Sequence, residues 1–583
     1  MKKELLKQQK TKEYKIEIKE INNIDLNLLN KWFLVLDLKI EEIFFSDIEN
    51  ICEYILILHR KISQVCLLPI FYKGRILKIE NSKENISISL ALSYIDLIPQ
   101  DFYYKIIDFS FSHIFWMMKN EPNLQNINAF SDVCISKIIN PIRKSLPPGK
   151  SRMPILQEAF NKDIPFIHLG YGIFQLGFGK KSLKLDRSGT QFDTSIGLNL
   201  SQNKVTTVNL LKMAGFPTST QVVVKNKEEL INSLNYLNYP LVIKPIDLDR
   251  GEGVTVNIFD EKKLLISFEE AYNLSKSKTV IVEKQIEGVC HRLFIANEKL
   301  LYCVKRLPIS VQADGFNSIE KLIDKANEKE NRKVFWQEKE FFPKDSLTLE
   351  ALKKVNYSLD SIPKKDEWIE LRDIESTKWG GRDENRTDCV HPDNLDIAIR
   401  ATKLIGLNVA GVDIITTDIS KSWLETNAII NEINYAPLLG GGEISKRYIS
   451  TFLERFIYDN GRIPIEIFVG NTNESIIKAK EKHIEYKNLG FKVYFSSHEL
   501  TFDENLNELK FSSKNLSSRI LSLVLNSNVE ALIIVIQNSE FLYNSFPIDK
   551  VSKINIVSSE ILDIKTNKNL DEIEFKTLIE KIF

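Results

Sequence analysis

The stretch GVDIITTD (Gly411–Asp418) places Asp413 between apolar neighbours in a run typical of a buried strand. A second stretch, NEINYAP (Asn431–Pro437), places Glu432 and Asn434 two residues apart, so that both side chains lie on one face of a strand. Buried carboxylates are costly without a nearby cation, and carboxylate and amide oxygens are ligands that suit Mg²⁺. We therefore predict that Asp413, Glu432 and Asn434 bind this metal. A surface strand with acidic residues is the alternative, which the apolar neighbours disfavour.

Two lysines lie upstream of these strands. Lys204 precedes an amphipathic stretch predicted to be a helix (Val205–Ala214), and Lys244 lies within the apolar run LVIKPI (Leu241–Ile246). A lysine in an apolar strand is costly unless its ammonium meets an anion, and a nucleotide phosphate is such an anion. The alternative is that the side chain reaches solvent along its aliphatic stem.

The loop DLDRGEGV (Asp247–Val254) directly follows the strand of Lys244. Its glycines would let backbone amides approach a phosphate, although an ordinary hairpin turn explains a lone GxG equally well. Further on, VIVEKQIEG (Val280–Gly288) is an apolar strand that runs into Glu283. Such a strand end offers the apolar slot and the backbone groups that an adenine needs. The alternative is that this segment is a strand end that binds no ligand.

Composition narrows the class of protein. The chain has 583 residues, which predicts three or four domains, and its 78 Lys and Arg balance 78 Asp and Glu, so no global charge points to nucleic acid. The first residues lack the apolar core of a signal peptide, and no apolar stretch is long enough to cross a bilayer. The six cysteines form no CxxC pair, which disfavours a zinc site or a disulfide framework. We therefore expect a cytoplasmic protein without a nucleic-acid or membrane partner.

Strand-like and helix-like runs alternate beyond residue 150, which predicts α/β and α+β domains. Prolines and a glycine near that position indicate a domain boundary. Capping residues predict several helix starts, and a proline and a glycine bracket one helix. These residues are Asp260 before a helix to Leu274, Asn226 with Glu229, Asn317 with Glu320, and Pro392 with Gly406.

Taken in order, these stretches resemble the ATP-grasp superfamily, and in particular the ATP-grasp part of the cyanophycin synthetase family. The resemblance covers roughly residues 152–460 and runs through several ordered blocks. These blocks are Ile164–Asp186, Leu210–Thr218, Tyr239–Asn257, Val280–Ile295, Val304–Asp324, Ser358–Pro363, Arg386–Asn394 and Gly406–Ile414. It implies an N-terminal α/β domain (1–150), an ATP-grasp domain (151–460) and a small Rossmann-like C-terminal remnant (461–583) of a Mur-ligase-like domain.

The resemblance also implies roles for individual residues. The residues expected to contact ATP are Lys204, Lys244, Arg250, Gly251, Glu252, Gly253, Val254, Glu283, Lys284, Ile286, Glu287 and Cys290. Arg292 and Arg306 fall where such enzymes place cations that act on phosphate or carboxylate, and Asp413, Glu432 and Asn434 fall on the Mg²⁺ ligands. The candidates for holding a substrate carboxylate are Arg306, Arg382, Arg386 and His391, each of which could equally be a surface residue.

The chain departs from the family pattern in four places. Cys290 stands where relatives carry an acid that binds the ribose, and the glycine-rich substrate loop reads STKWGGRDENRTD (Ser376–Asp388). After NYAP the usual arginine is missing. In the C-terminal region a P-loop would need a lysine and a hydroxyl residue, but Glu474–Ser475–Ile476 stands there instead. We therefore expect a different substrate and a C-terminal region that lacks a working P-loop.

The resemblance implies a ligase that activates a carboxylate with ATP as an acyl phosphate and joins it to an amine. Its substrates would be small-molecule amino acids or peptides. A non-catalytic nucleotide-binding regulatory module is an alternative, as is an enzyme that modifies a carboxylate of a peptide or protein. The C-terminal region would then pack on the ATP-grasp domain or form the interface of a homo-oligomer.

Overall fold

The structure is a computed structural model, and it describes most of the chain. The described residues are 14–20, 33–41, 48–71, 74–81, 85–93, 95, 98–121, 123–145, 151–248, 251–332, 340–375, 380–544 and 546–582. They form two compact units, one of Met1–Asp186 with Phe456–Phe583 and the other of Arg187–Arg455. The division into domains at residues 150 and 460 remains a prediction.

The N-terminal part of the first unit is an antiparallel sheet covered by helices. Its strands are β1 (Tyr14–Glu20), β2 (Phe33–Glu41), β3 (Arg75–Asn81) and β4 (Asn85–Ser93), in the order β1-β2-β4-β3. Its helices are α1 (Ile48–Val65), α2 (Gln100–Lys119), α3 (Leu124–Cys134), α4 (Asn140–Ser145) and α5 (Arg152–Asn161). Ile55 of α1 and Phe111 of α2 share a buried core with Leu90 of β4, so that these two helices and the sheet bury a common apolar surface.

The same unit contains a second sheet, near the C-terminus. Its strands are β20 (Ile465–Val469), β21 (Val493–Ser496), β22 (Thr501–Phe502), β23 (Ala531–Ile536) and β24 (Lys553–Ile556), in the order β22-β21-β23-β20-β24. The pairs of β20 with β23 and β24, and of β21 with β23, are parallel. The helices are α16 (Asn473–Asn488), α17 (Leu516–Leu525), α18 (Glu540–Tyr543) and α19 (Glu572–Ile582). The fully buried run ALIIVI of β23 is typical of a parallel strand covered on both faces.

Residues 164–186 of the first unit pack on this C-terminal core. They include the strands β5 (Phe166–Gly170), β6 (Ile173–Leu176) and β7 (Leu183–Asp186). Ile167 and Phe178 belong to the same buried cluster as Ile463 and Leu532.

The second unit begins with an antiparallel sheet in the order β11-β10-β12-β9. Its strands are β9 (Gln221–Val224), β10 (Leu241–Pro245), β11 (Thr255–Ile258) and β12 (Val280–Lys284). The short strand β8 (Gly189–Thr190) precedes them and is not part of this sheet. The helices are α6 (Ser195–Gln202), α7 (Lys204–Met213), α8 (Lys227–Ser233) and α9 (Glu261–Leu274). Leu230 of α8 and Phe268 of α9 pack against Ile243 of β10 and Val282 of β12. The other face of this sheet carries Lys244 and Glu283 beside the buried Val242 and Ile281.

A five-stranded antiparallel sheet with the order β17-β14-β13-β18-β19 follows. Its strands are β13 (Val289–Ala296), β14 (Lys299–Pro308), β17 (Gly381–Asn385), β18 (Val409–Thr416) and β19 (Ile429–Tyr435), and the remaining helices of this part are α12 (Pro392–Ile405), α13 (Trp423–Thr426), α14 (Glu443–Lys446) and α15 (Ile449–Phe456). Ile397 and Ala401 of α12 pack on Leu293 and Val412, which covers one face of the sheet.

A small module lies between β14 and β17. It consists of β15 (Ser310–Gln312), β16 (Trp368–Glu370), α10 (Ile319–Asn331) and α11 (Ser346–Lys354). Val311, Ile323 and Leu352 meet in its core. The structure thus confirms the mixed α/β and α+β fold class. None of the described helices is long and apolar enough to cross a membrane.

Most of the predicted helix ends are confirmed. Asp260 caps α9, Pro392 is the first residue of α12, and Gly406 ends α12 with a φ of 88°. Asn226 caps α8 by accepting from the Glu229 amide at 2.8 Å.

Two local predictions were wrong. Ser318, and not Asn317, is the N-cap of α10. The side-chain amide of Asn317 instead donates to Asp314 Oδ2 at 2.6 Å. Lys204 does not precede α7 but is its first residue, since Asn203 is the cap.

Candidate functional site

The five-stranded sheet brings charged side chains from all five of its strands onto one face. Arg292 of β13 lies opposite Asp413 of β18, and Asp413 lies opposite Glu432 of β19. On the other side of β13, Arg306 of β14 lies opposite Asp383 of β17. Directly paired residues share a face of a sheet. The strand register therefore places the predicted metal ligands Asp413 and Glu432 on the same face as Arg292. We call this the arginine–carboxylate face.

Arg292 and Asp413 form a two-pronged ion pair at the centre of this face. The Arg292 Nε donates to Asp413 Oδ1 and its Nη2 donates to Oδ2, both at 2.7 Å. Asp413 is only 2% exposed. Gly411, two residues earlier on the same face, leaves the space that the arginine needs, since a Cβ there would lie 3.3 Å from Arg292 Cδ. Asn434 also reaches Asp413, with its Nδ2 3.4 Å from Oδ2.

Arg306 joins the same network from the next strand. Its Nη2 lies 2.7 Å from Glu375 Oε2, and its Nη1 lies 3.9 Å from Asp413 Oδ2. Burial raises the pKa of Glu375 and of Asp383, an effect that the charge of Arg306 opposes. Sequence reasoning missed these two acids. The run GRDEN of β17 has no alternation of apolar and polar residues that would single out Asp383, and Glu375 lies outside regular structure, where no periodic signal exists.

Glu432 connects the arginine–carboxylate face with the two predicted lysines. Burial raises the pKa of its carboxyl, the neighbouring charge of Asp413 raises it further, and the charges of Lys204, Arg292 and Lys244 lower it. Three of the predicted cations therefore act on the carboxylate that the sequence assigned to the metal.

Lys244 does not reach solvent along its stem. Its Nζ lies 2.8 Å from Glu283 Oε1, with the two side chains 17% and 9% exposed. The Ser219 hydroxyl donates to the other oxygen of Glu283 at 3.2 Å. Lys204 donates to the carbonyl of Leu248, at the start of the glycine-containing loop. Thus Lys244 and Glu283, predicted to bind different parts of a nucleotide, are paired with each other.

The glycine-containing loop has the backbone that its sequence predicts. Gly251 and Gly253 have φ values of 74° and 70°, in the left-handed region that favours glycine. A Cβ on Gly253 would also lie 2.8 Å from Pro245 Cγ. Glu252 and Val254 are partly buried. Arg250, another predicted nucleotide contact, lies outside the described residues.

The segment after β12 carries the predicted adenine contacts. Lys284 and Glu287 are exposed, and Ile286 is partly buried. Gln285 ties this segment to β11, because its Oε1 accepts from the Asn257 amide at 2.7 Å. Cys290 follows in β13, two residues before Arg292, and therefore shares the arginine–carboxylate face. Burial, and then the charges of Asp413 and Glu375, raise the pKa of its thiol.

The remaining substrate candidates are not on this face. Arg382 lies opposite Leu307, one position out of phase with Asp383, so it points to the other face of β17. There its guanidinium lies 4.6 Å from the Trp368 ring, and it donates to Glu384 at 2.6 Å.

Arg386 and His391 have local partners as well. Arg386 donates to Glu384 at 3.0 Å. His391 is the cap residue of α12, and its Nδ1 accepts from the Asp393 amide at 3.2 Å. Their roles in substrate binding remain predictions.

The donor set of the arginine–carboxylate face fits a hard cation and a polyphosphate. Asp413, Glu432 and Asn434 offer oxygens, and the nearby lysines and arginines are cations that phosphate oxygens can meet. Among the described residues no group of three or more His, Cys, Asp or Glu side chains could hold a metal. The predicted set contains only two such side chains and an amide, so that finding does not address it.

Comparison with known proteins identifies clear relatives by sequence. Over 363 residues the chain is 31% identical to a cyanophycin synthetase from Synechocystis sp., covering 60% of this chain and 41% of the relative. A cyanophycin synthetase from Trichormus variabilis is 30% identical over 368 residues, covering 61% and 40%. A glutathione biosynthesis bifunctional protein from Desulfotalea psychrophila is 27% identical over 267 residues, covering 45% and 34%. No protein-family model matches the chain.

Solved structures give weaker likenesses. A bifunctional glutathione synthetase from Pasteurella multocida matches with a TM-score of 0.42 and 20% identity, covering 60% of this chain and 52% of that one. A D-alanine–D-alanine ligase from Bacillus anthracis matches with a TM-score of 0.28 and 14% identity, covering 45% and 68%. On the evidence of sequence, this chain is a homologue of cyanophycin synthetases over 60% of its own length, and it spans 41% of the length of the Synechocystis protein.

Proposed function

We propose that this protein is an ATP-dependent carboxylate–amine ligase that forms an amide bond through an acyl phosphate and releases ADP. The observation that carries the proposal is the arginine–carboxylate face. There Asp413, Glu432 and Asn434 lie beside Arg292 and Arg306. The chain is also 31% identical to a cyanophycin synthetase over 363 residues. Two of the relatives are named cyanophycin synthetases, which supports a ligase.

In the proposed reaction a substrate carboxylate oxygen attacks the γ-phosphorus of ATP, and ADP leaves. The amine then attacks the acyl carbon, phosphate leaves with the bonding electron pair, and the amine loses a proton. Arg292 and Arg306 would hold oxygens of the transferring phosphoryl group and of the carboxylate, and Lys204 and Lys244 would hold the nucleotide phosphates. Mg²⁺, held by Asp413, Glu432 and Asn434, would neutralise charge on the phosphates.

The substrates would be small-molecule amino acids or peptides. Glutathione and cyanophycin occur in the names of relatives, but Glu375 and Asp383 give this chain an acidic surrounding for Arg306. A substrate with a cationic group next to its reacting carboxylate would suit that surrounding.

The test is ADP release by the full chain with Mg²⁺, ATP and pooled amino acids and short peptides, each pool being divided until one carboxylate and one amine remain. Amide product with equal amounts of ADP and phosphate is expected. A Glu432→Gln variant serves as the inactive control. Release of AMP and pyrophosphate, or no amide with any pool although the protein binds ATP, would overturn the proposal.

A further inference from the structure

Arg306 presents an unusual arrangement for a cation that is to bind a ligand. Its side chain is only 14% exposed, and its Nη2 already lies 2.7 Å from Glu375 Oε2. Its other terminal nitrogen is 3.9 Å from Asp413 Oδ2, which Arg292 holds more closely at 2.7 Å. Among the described residues, the closest charged partner of Arg306 is therefore Glu375.

The two acids beside Arg306 are held in different ways. Asp383 belongs to β17 and lies directly opposite Arg306 in the strand ladder, so its backbone is fixed by the sheet. Glu375 comes after β16, in a segment without regular structure. Glu375 can therefore move away from Arg306 together with its backbone, whereas the backbone of Asp383 keeps its place in the ladder.

A carboxylate against an arginine has the geometry that a ligand oxyanion takes on the same guanidinium. We propose that Glu375 occupies the anion position of Arg306 in the substrate-free protein, and that an oxyanion of the ligand binds by displacing it. This inference rests on the proposed function. Glu375 would then set specificity, because only a group that competes with a carboxylate for Arg306 could bind there.

The experiment is calorimetric titration of the full chain and of its Glu375→Gln variant. The probes are the Mg²⁺ complex of a non-hydrolysable ATP analogue, adenosine, and L-aspartate added to protein saturated with the analogue. The glutamine removes the competing charge, so affinity for the displacing anion should rise about tenfold, the order expected for one charged hydrogen bond. Tightening of the ATP analogue alone indicates a phosphoryl oxyanion, and tightening of L-aspartate alone indicates a carboxylate.

Glu384→Gln is the matched control, because Glu384 also pairs with arginines but on the opposite face of β17. It should leave the affinity for the ATP analogue unchanged, and adenosine should bind equally to all three proteins. If Glu375→Gln does not fold, Glu375→Asp, which withdraws the carboxylate by one methylene, takes its place.

Unchanged or weaker binding of both anions to the Glu375 variant, when the natural chain binds the analogue, overturns this inference alone. Failure of the natural chain to bind the analogue overturns the proposed function and this inference with it.

Discussion

Arg292 and Asp413 are bonded through both carboxylate oxygens at 2.7 Å from adjacent strands, with the Asp413 side chain 3% and the Arg292 side chain 22% exposed. Removing one partner of a buried ion pair leaves the other charge without compensation, which costs far more than the pair contributes as a whole. This relationship makes the stability of the fold depend on a residue that we assign to the site.

We predict that Asp413→Ala lowers the free energy of unfolding by about 3–5 kcal/mol. The matched control is Asp396→Ala, which removes a 2.7 Å ion pair with Arg400 whose side chains are more than half exposed. That change should cost about 0.5 kcal/mol or less. Urea unfolding followed by circular dichroism gives both free energies. Equal losses in the two variants would contradict the prediction that Asp413 contributes more to stability than a residue of an exposed ion pair.

Glu432→Ala should remove ligase activity and leave the fold intact. Loss of one anionic ligand is expected to reduce turnover by on the order of 10²–10³. Glu425→Ala, which removes an exposed carboxylate from the same unit, should leave turnover unchanged. Turnover of the Glu432 variant equal to that of the natural chain at saturating Mg²⁺ would show that the metal binds elsewhere.

Cys290 should be unreactive in the folded protein. Burial raises the pKa of its thiol well above the usual value, and the charges of Asp413 and Glu375 raise it further, while Arg306 and Arg292 oppose them. Because the thiolate is the reactive form, a disulfide reagent at pH 8 should label the exposed Cys389 and not Cys290. Peptide mapping by mass spectrometry identifies the labelled cysteines, and fast labelling of Cys290 would show that this face is open.

The surroundings of Cys290 also alter the expectation for an acid at that position. Because the family resemblance implies a ribose-binding acid at this position, Cys290→Asp would tighten ATP binding or leave it unchanged. In the structure such a carboxylate would join Asp413 and Glu375, whose charges already act on the thiol. We therefore expect Cys290→Asp to be less stable than Cys290→Ser, which adds no charge. Thermal unfolding measures the midpoint temperature of each variant. Equal midpoints would show that a carboxylate at position 290 does not destabilise the fold.

His498 in the C-terminal part should make stability depend on pH. Burial lowers its pKa to about 3, and its Nδ1 accepts from the Gln537 amide at 3.0 Å, which requires the neutral ring. The unfolded chain therefore binds a proton more readily than the folded one, and stability falls as the pH drops below the ordinary histidine pKa of about 6.5.

We expect His498→Asn to lose less stability than the natural chain between pH 7 and pH 5. Burial also lowers the pKa of His59 to about 3, so His59 reduces the stability of both proteins at low pH. The effect of His498 is therefore the difference between the two proteins in the free energy of unfolding that they lose. Urea unfolding at the two pH values measures it, and parallel losses would show that His498 is protonated in the fold.

Site residues could be predicted from the sequence where their placement depends on spacing within one strand, and not where it depends on contacts between distant segments. Glu432 and Asn434 could be placed on one face because their spacing of two is a property of any strand. Arg382 could not be assigned to a face, because a shift of one residue in register moves a side chain to the other side of a sheet. Glu375 could not be found at all, since its position on Arg306 depends on the whole module between β14 and β17. Long-range register and irregular segments thus decide the parts of this site that spacing alone does not predict.

The last prediction is that the chain binds one nucleotide, at Lys244, and none at the helix α16 that follows β20. The amide of Ser475 at the start of α16 is directed to the Thr472 hydroxyl at 3.4 Å, and Glu474 in the first turn pairs with Lys478 at 2.7 Å. A phosphate there would meet an anionic side chain and no loop lysine.

Titration with a non-hydrolysable ATP analogue should therefore give one site per chain. Lys244→Ala should abolish binding, because it removes the ammonium and leaves the carboxylate of Glu283, which is 9% exposed. Among the residues that the structure describes, that carboxylate would keep a side-chain hydrogen bond from Ser219. Glu474→Ala is the control and should bind the analogue as the natural chain does, since its side chain is 62% exposed. Two sites per chain, or binding that survives Lys244→Ala and is lost in Glu474→Ala, would place the nucleotide at the C-terminal sheet instead.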